Sequence, residues 1–256
     1  MLLAIDVGNT NTVLGVFLGE TLTAHFRITT HPERTEDEYG VLAVALLREA
    51  GLDPGAVEGI AISSVVPPLT PVFEGMVRER FGREPLMIEP GVKTGMPILY
   101  ENPHDVGADR IVNGVAAFAR YGGPAVVIDF GTATTFDTIT ARGEYLGGVI
   151  APGLGISAEA LFRRAARLPR VDIKRPARVI GRNTVASMQS GIFFGYAGLV
   201  EGIVRRIRAE LGEDSKVVAT GGLAMAFEKE FPFVDAFDPH LTLHGLRLIH
   251  EKNSEP

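Results

Sequence analysis

Apolar positions along the chain spell out one plan twice. Leu3-Ala4-Ile5 with Val7 form a nearly unbroken apolar run, as a strand buried on both faces requires. Residues 13–18 and 22–29 read as two more strands around the Gly19-Glu20 turn. Tyr39, Leu42, Ala43, Leu46 and Leu47 then recur at helical spacing and predict a helix over 35–50. Thr35-x-x-Glu38 is its capping box and Gly51 its stop. A strand at 59–63, a helix at 69–81 and a short strand at 85–88 follow. A Gly/Pro-rich loop over 89–108 leads to a helix over 110–120, with Asp109 placed to cap it. The second half predicts strands at 125–130, 136–140 and 144–150, then helices at 156–167 and 184–211. A strand at 216–220, a helix near 223–230 and a helical tail over 241–252 end the chain.

The repeat is sharpest at its turns. Ile5-Asp6-Val7-Gly8-Asn9-Thr10 recurs as Ile128-Asp129-Phe130-Gly131-Thr132-Ala133. A single Asp-x-Gly after a strand is ordinary turn chemistry. Two at equivalent places point to a duplicated domain, because a turn has no reason to repeat its carboxylate. The expected division is therefore 1–122 and 123–256, an α/β protein of two like halves.

Composition removes several function classes. The 256 residues include no cysteine, which excludes disulfides, thiolate metal sites and cysteine nucleophiles, and fits a cytoplasmic protein. A net charge of −6 without a Lys/Arg block disfavours nucleic acid and anionic membranes as partners. The N-terminal segment lacks the basic leader and cleavage site of a signal peptide. The apolar stretch over 184–211 is interrupted by Gln189 and Glu201, so a buried helix is predicted there and not a membrane span. His240 and His244 have the spacing of a zinc pair but no evident third ligand. The basic residues between Arg163 and Arg175 read as a solvated face.

Phosphate chemistry fits the turns. Asp6 and Asp129 can hold cations, glycines let the backbone approach a ligand, and small polar residues offer donors to phosphate oxygens. Neither a G-x-x-x-x-G-K-[ST] loop nor a dinucleotide G-x-G-x-x-G is present, and kinase-loop and G-x-S-x-G signatures are missing too. Thr220-Gly221-Gly222, after an apolar strand, is a third glycine turn. Asp109-Arg110 pairs a carboxylate able to act as general base with a guanidinium able to grip a carboxylate.

The repeated Asp-x-Gly hairpin resembles the phosphate motifs of the acetate and sugar kinase/Hsp70/actin superfamily. That resemblance implies two ribonuclease-H-like, actin-like ATPase domains with an interdomain nucleotide cleft. A closer resemblance covers nearly the whole chain. Asp6-Val7-Gly8-Asn9-Thr10, Ser63-Ser64-Val65-Val66-Pro67, Tyr100-Glu101-Asn102-Pro103, Gly107-Ala108-Asp109-Arg110, Asp129-Phe130-Gly131-Thr132-Ala133-Thr134 and Gly181-Arg182-Asn183-Thr184 look, in this order, like the type III pantothenate kinase family.

The resemblance implies a kinase that phosphorylates pantothenate at its 4′ position with ATP, opening coenzyme A synthesis. It implies that Asp6, Val7, Gly8, Asn9, Thr10, Asn11, Thr12 and Val13 form the first ATP loop, with Asp6 near Mg²⁺ through water. Thr132 would touch the ATP phosphates, and Gly221-Gly222 would sit against the adenosine. Asp129 would bind a monovalent cation, K⁺ or NH₄⁺. Asp109 would be the catalytic base, and Tyr100, Gly107, Ala108, Asp109, Arg110 and Thr184 would line the pantothenate pocket. It also implies a homodimer. Gly191, Gly195, Gly198 and Gly202 on one predicted helix are either its seam or an internal packing face. Two other readings stay open: a polyphosphatase-like phosphohydrolase of the same superfamily, and a regulatory protein related to transcription accessory factors. The intact Asp6, Asp109 and Asp129 argue against a catalytically dead binder.

Overall fold

The computed structural model describes residues 1–212 and 214–254. Ten strands form two five-stranded sheets. In the first, β1 (Leu2–Val7), β2 (Asn11–Leu18) and β3 (Thr21–Thr29) make an antiparallel meander. Helix α1 (Glu36–Glu49) carries the chain across, so that β4 (Gly59–Ser64) joins β1 in parallel. Helix α2 (Thr70–Phe81) leads to β5 (Leu86–Met87), giving the order β3-β2-β1-β4-β5. The Thr35/Glu38 capping box is present at the start of α1. Helix α3 (Ala108–Tyr121) follows the long loop.

The second sheet repeats that order. β6 (Ala125–Phe130), β7 (Ala133–Ile139) and β8 (Tyr145–Pro152) are the antiparallel meander. After α4 (Leu154–Arg164) and the long α5 (Thr184–Leu211), β9 (Lys216–Thr220) adds to β6 in parallel, and β10 (Ala236–Phe237) adds to β9. The order β8-β7-β6-β9-β10 is that of the first sheet, strand for strand. The duplication read in the two turns is therefore a duplication of the whole sheet.

Two compact units result, 1–119 with 241–256, and 120–240. Helix α6 (Leu241–Ser254) belongs to the first unit, where a split after residue 122 would leave it with the second half. The reason is apolar packing: Leu243, Leu246 and Ile249 lie against Ala4, Phe17, Ala61 and Val112. Gly15 on β2 makes room for this helix, since a Cβ there would meet Leu243 at 2.7 Å. Three smaller differences concern element ends. A 3₁₀ turn, Ala224–Phe227, replaces the helix read near 223–230; β10 had no readable signal; and α3 starts at Ala108, so Asp109 lies inside the first turn. No described helix is long and apolar enough to cross a membrane.

The first unit's core joins Leu3, Ile5 and Val7 of β1 to Tyr39, Leu47, Phe73 and Met76 of α1 and α2. In the second, Val126, Ile128 and Phe130 of β6 pack on Phe193, Tyr196 and Val200 of α5 and on Phe227. Each central strand is thus buried up to the residue before or after its terminal carboxylate. That is how both acidic turns are held at fixed positions.

Candidate active site

In the first unit, Asp6 is the penultimate residue of β1. The parallel register sets Ser63 of β4 beside it, and the Ser63 hydroxyl donates to Asp6 Oδ1 at 2.6 Å. Gly8 N–H donates to the Asn11 carbonyl at 3.1 Å and closes the turn, leaving Asn9 and Thr10 exposed. Thr12 is fully buried and its hydroxyl pairs with that of Thr30 at 2.9 Å. Its side chain is thus spent on the fold, so any ligand contact from Thr12 runs through the backbone.

Asp109 sits in the same unit, in the first turn of α3. It is not the helix cap: its Oδ1 accepts from the backbone N–H of Arg110 at 2.8 Å. Gly107, two residues earlier, passes close to it: a Cβ there would stand 2.6 Å from that same oxygen. Burial raises the Asp109 carboxyl above the ordinary range, against the lowering effects of the Arg110 backbone bond and guanidinium. Asp6 is pushed up to about 7, first by burial and then by the Asp109 charge, while Ser63 pulls it down. The structure thus brings together two carboxyls that interact electrostatically and are both costly to ionise. Arg110, next to Asp109, is buried, and Tyr100 is partly exposed in the preceding loop. That loop is tied to α6: Asn253 accepts from Lys93 N–H at 3.2 Å and donates to the Lys93 carbonyl at 3.0 Å.

In the second unit, Asp129 is the penultimate residue of β6, with Thr132 exposed in the turn that follows. The parallel register pairs Asp129 with Thr220 of β9. Gly221, next in the chain, has φ +93°, and any Cβ there would collide with Asp129 Oδ1 and the Phe130 backbone. The third glycine turn of the sequence is therefore packed against the second acidic turn. Thr134 is buried and bonded to Tyr196 of α5. Thr184 opens α5, exposed, behind its cap Asn183, which accepts from Ala186 N–H at 2.8 Å.

A model of the type III pantothenate kinase family matches residues 2–206. A type III pantothenate kinase of Moorella thermoacetica is 57% identical over 254 residues, covering 99% of this chain and 100% of its own. The chain belongs to the type III pantothenate kinases. Another, from Geobacter sulfurreducens, is 55% identical with full coverage of both chains. Among solved structures, an activator of 2-hydroxyisocaproyl-CoA dehydratase from Clostridium difficile, with bound ADPNP, has a TM-score of 0.53 at 12% identity, covering 100% of this chain and 98% of its own. A polyphosphate/ATP-glucomannokinase from Arthrobacter has 0.51 at 15% identity, covering 98% and 97%. At these identities the likeness shows the shared fold, that of the actin-like ATPases and sugar kinases.

Several residues on the strands and helix behind the two acidic turns were not read as site residues from sequence. Ser63 carried a signal, since it stands in the Ser63-Ser64-Val65 motif after a strand. Tyr196 carried none beyond helical periodicity. Thr135, Asp137 and Tyr145 lie on strands whose mixed apolar and polar pattern hides which polar residues are buried. Among the described residues, no three His, Cys, Asp or Glu side chains gather as a metal cluster. Metal sites here would rest on single carboxylates with other oxygen donors.

Proposed function

We propose that this type III pantothenate kinase uses Asp109 as the base that accepts the proton of the pantothenate primary hydroxyl. The reaction follows from the family: the γ-phosphoryl group of ATP passes to pantothenate, the first step of coenzyme A synthesis. The observation that carries the residue assignment is the pair of raised carboxyls, Asp109 and Asp6, in one unit. A base works best with a pKa near the working pH, and burial moves Asp109 that way. As the hydroxyl oxygen bonds to the γ-phosphorus and the bond to ADP breaks, the hydroxyl proton passes to Asp109.

Phosphoryl transfer is chiefly positioning and charge neutralisation. In this reading Asp6 to Val13 cradle the phosphates, with Asp6 facing Mg²⁺ through water. The fit is chemical: Ser63 occupies Asp6 Oδ1, and a dication offsets the cost of ionising a carboxyl whose pKa is near 7. Asp129 holds K⁺ or NH₄⁺, Thr132 meets the ATP phosphates, and Gly221 and Gly222 lie at the adenosine. Tyr100, Gly107, Ala108, Arg110 and Thr184 hold pantothenate, with the Arg110 guanidinium suited to its carboxylate.

The same reading makes the protein a cytoplasmic homodimer with α5 at the seam. Gly191, Gly195 and Gly198 have open space where a Cβ would be, so they serve no internal packing among the described residues. Exposed Val185 and Leu199 lie on the same helix. Light scattering after gel filtration measures the assembly.

The functional test is ADP release from Mg-ATP with and without pantothenate, in potassium and in sodium. Release that needs both pantothenate and potassium supports the reading. Phosphate release without pantothenate would replace it with a phosphohydrolase, and no turnover would replace it with a binding protein.

A further inference from the structure

We propose that Asn253, in the last turn of α6, is a positioning residue for the loop that carries Tyr100, and so acts on pantothenate binding and not on ATP binding. The proposal rests on the assignment of Tyr100 to the pantothenate pocket. It adds a residue outside the stretch 2–206 that the family model matches.

The loop between β5 and α3 is long for a compact unit and contains only one 3₁₀ turn, Pro103–Asp105. Its backbone groups therefore need partners from elsewhere. Asn253, in the same compact unit, supplies two at one residue. Lys93 N–H donates to Asn253 Oδ1 at 3.2 Å, and Asn253 Nδ2 donates to the Lys93 carbonyl at 3.0 Å, across 160 positions of sequence. The same Nδ2 donates to the Ile249 carbonyl, one turn back on α6, at 2.8 Å. Both amide protons and the amide oxygen are thus engaged. The bond to Ile249 fixes the amide on its own helix, and the other two fix the loop to the amide. The helix is itself held by the burial of Leu243, Leu246 and Ile249.

A second contact lies beside the first. Gly95 has φ +75°, and a Cβ there would collide with the Lys252 side chain, so the loop runs close along the end of α6. Between these contacts and Tyr100, the Thr94 hydroxyl donates to the Met96 carbonyl at 3.3 Å and accepts from Met96 N–H at 3.2 Å. Met96 is buried, and the next buried residue is Val106. Tyr100 therefore sits on a span pinned at Met96 and Val106, and Asn253 sets where the first pin begins. If Asn253 lets go and Met96 follows, the free span reaches back to Ile88, which is buried and bonded to the Ile62 carbonyl at 2.8 Å. That nearly doubles the span. Doubling a loop costs only about a 3-fold factor, so the fold survives while the grip on a ligand weakens. The turn assigned to ATP is closed by its own Gly8–Asn11 bond and does not depend on this loop.

The test compares wild type, Asn253→Ala, Ser254→Ala and Tyr100→Ala as full chains. Steady-state kinetics are measured for both substrates, with the melting temperature and hydrogen exchange over residues 89–101. Asn253→Ala is expected to raise the pantothenate KM roughly 3–10-fold, from the freed span and two lost hydrogen bonds. Its kcat at saturating pantothenate, its ATP KM and its melting temperature stay at wild-type values. Exchange over 89–101 quickens by about 10-fold, because the loop opens locally. Ser254→Ala, whose hydroxyl bonds within α6 to the His250 carbonyl at 2.9 Å, changes none of these. Faster exchange with an unchanged pantothenate KM would overturn the proposal, since Asn253 would then hold the loop without serving the substrate. A rise in both KM values with a lower melting temperature would overturn it too and make Asn253 structural. The pocket assignment is checked separately: if Tyr100→Ala leaves the pantothenate KM unchanged, that assignment falls, and the proposal falls with it.

Discussion

Asp6 and Asp129 end equivalent central strands of two sheets with the same order, yet their neighbours differ at every comparable position. Beside Asp6, β4 places Ser63, a donor at 2.6 Å. Beside Asp129, β9 places Thr220, followed by Gly221 packed onto the carboxylate itself. Across the hairpin, Asp6 faces Val13 and Asp129 faces Thr135. A second carboxyl, Asp109, acts on Asp6 from within its own unit. Duplication thus preserved the strand order and the Asp-x-Gly turn, while the surrounding side chains diverged. The first turn carries two interacting, hard-to-ionise carboxyls, to which the proposal assigns proton transfer and a dication. The second is built around one carboxylate, a close backbone and a hydroxyl.

Four perturbations sharpen or break this contrast. The largest effect belongs to Asp109→Asn, which keeps the shape but cannot take a proton. Turnover should fall about 10²–10⁴-fold, the usual worth of a positioned base. Calorimetry should show ATP and pantothenate still binding; an unchanged rate removes Asp109 from the chemistry.

Gly221→Ala comes next. Its φ of +93° is strained for any side chain, and the new methyl would collide with Asp129. A stability loss of roughly 1–3 kcal/mol is expected, read by denaturant titration. The matching variant in the first sheet is Ser64→Ala.

Asp6→Asn tests the charge balance of the first turn, without nucleotide or divalent ions. The native carboxyl at about 7 lies above its unfolded value of 3.8, so the folded state binds the extra proton between those values. Wild-type stability therefore falls as pH rises from about 4 to 7 and is level above, whereas the amide is insensitive. The variant should gain on the order of 2 kcal/mol at pH 8 and nearly nothing near pH 3.5, allowing for Asp6's partial contact with water. A flat difference across pH would mean Asp6 ionises freely.

Ser64→Ala should do least. Its hydroxyl bonds locally to Val66 and Thr70, and removal should cost no more than about 1 kcal/mol. A loss matching that of Gly221→Ala would show the two positions to be under equal demand.

The parts legible in the sequence were those whose signal is local. The strand before each Asp, the Asp-x-Gly turn and the Thr35 cap all rest on neighbouring residues, and all formed as read. The destination of α6 was not legible, because its apolar stripe says that it packs but not on which sheet; the tertiary contacts with Ala4, Phe17, Ala61 and Val112 decide that. Asp109 was visible as a residue at a helix start, but its pairing with Asp6 depends on a tertiary fold that joins residues about a hundred positions apart. The hydrogen-bonded row of Thr135, Asp137 and Tyr145 was hidden for a similar reason. A polar residue on a strand reads as solvent-facing unless burial is known, and Asp137 is fully buried.

The unequal roles of the two turns are tested most directly by nucleotide-binding calorimetry on Asp6→Asn and Asp129→Asn, each with and without Mg²⁺ and in potassium or sodium. The account predicts that Asp6→Asn loses the Mg²⁺ dependence of ATP binding but keeps the preference for potassium, while Asp129→Asn does the reverse. Identical losses in the two variants would contradict it.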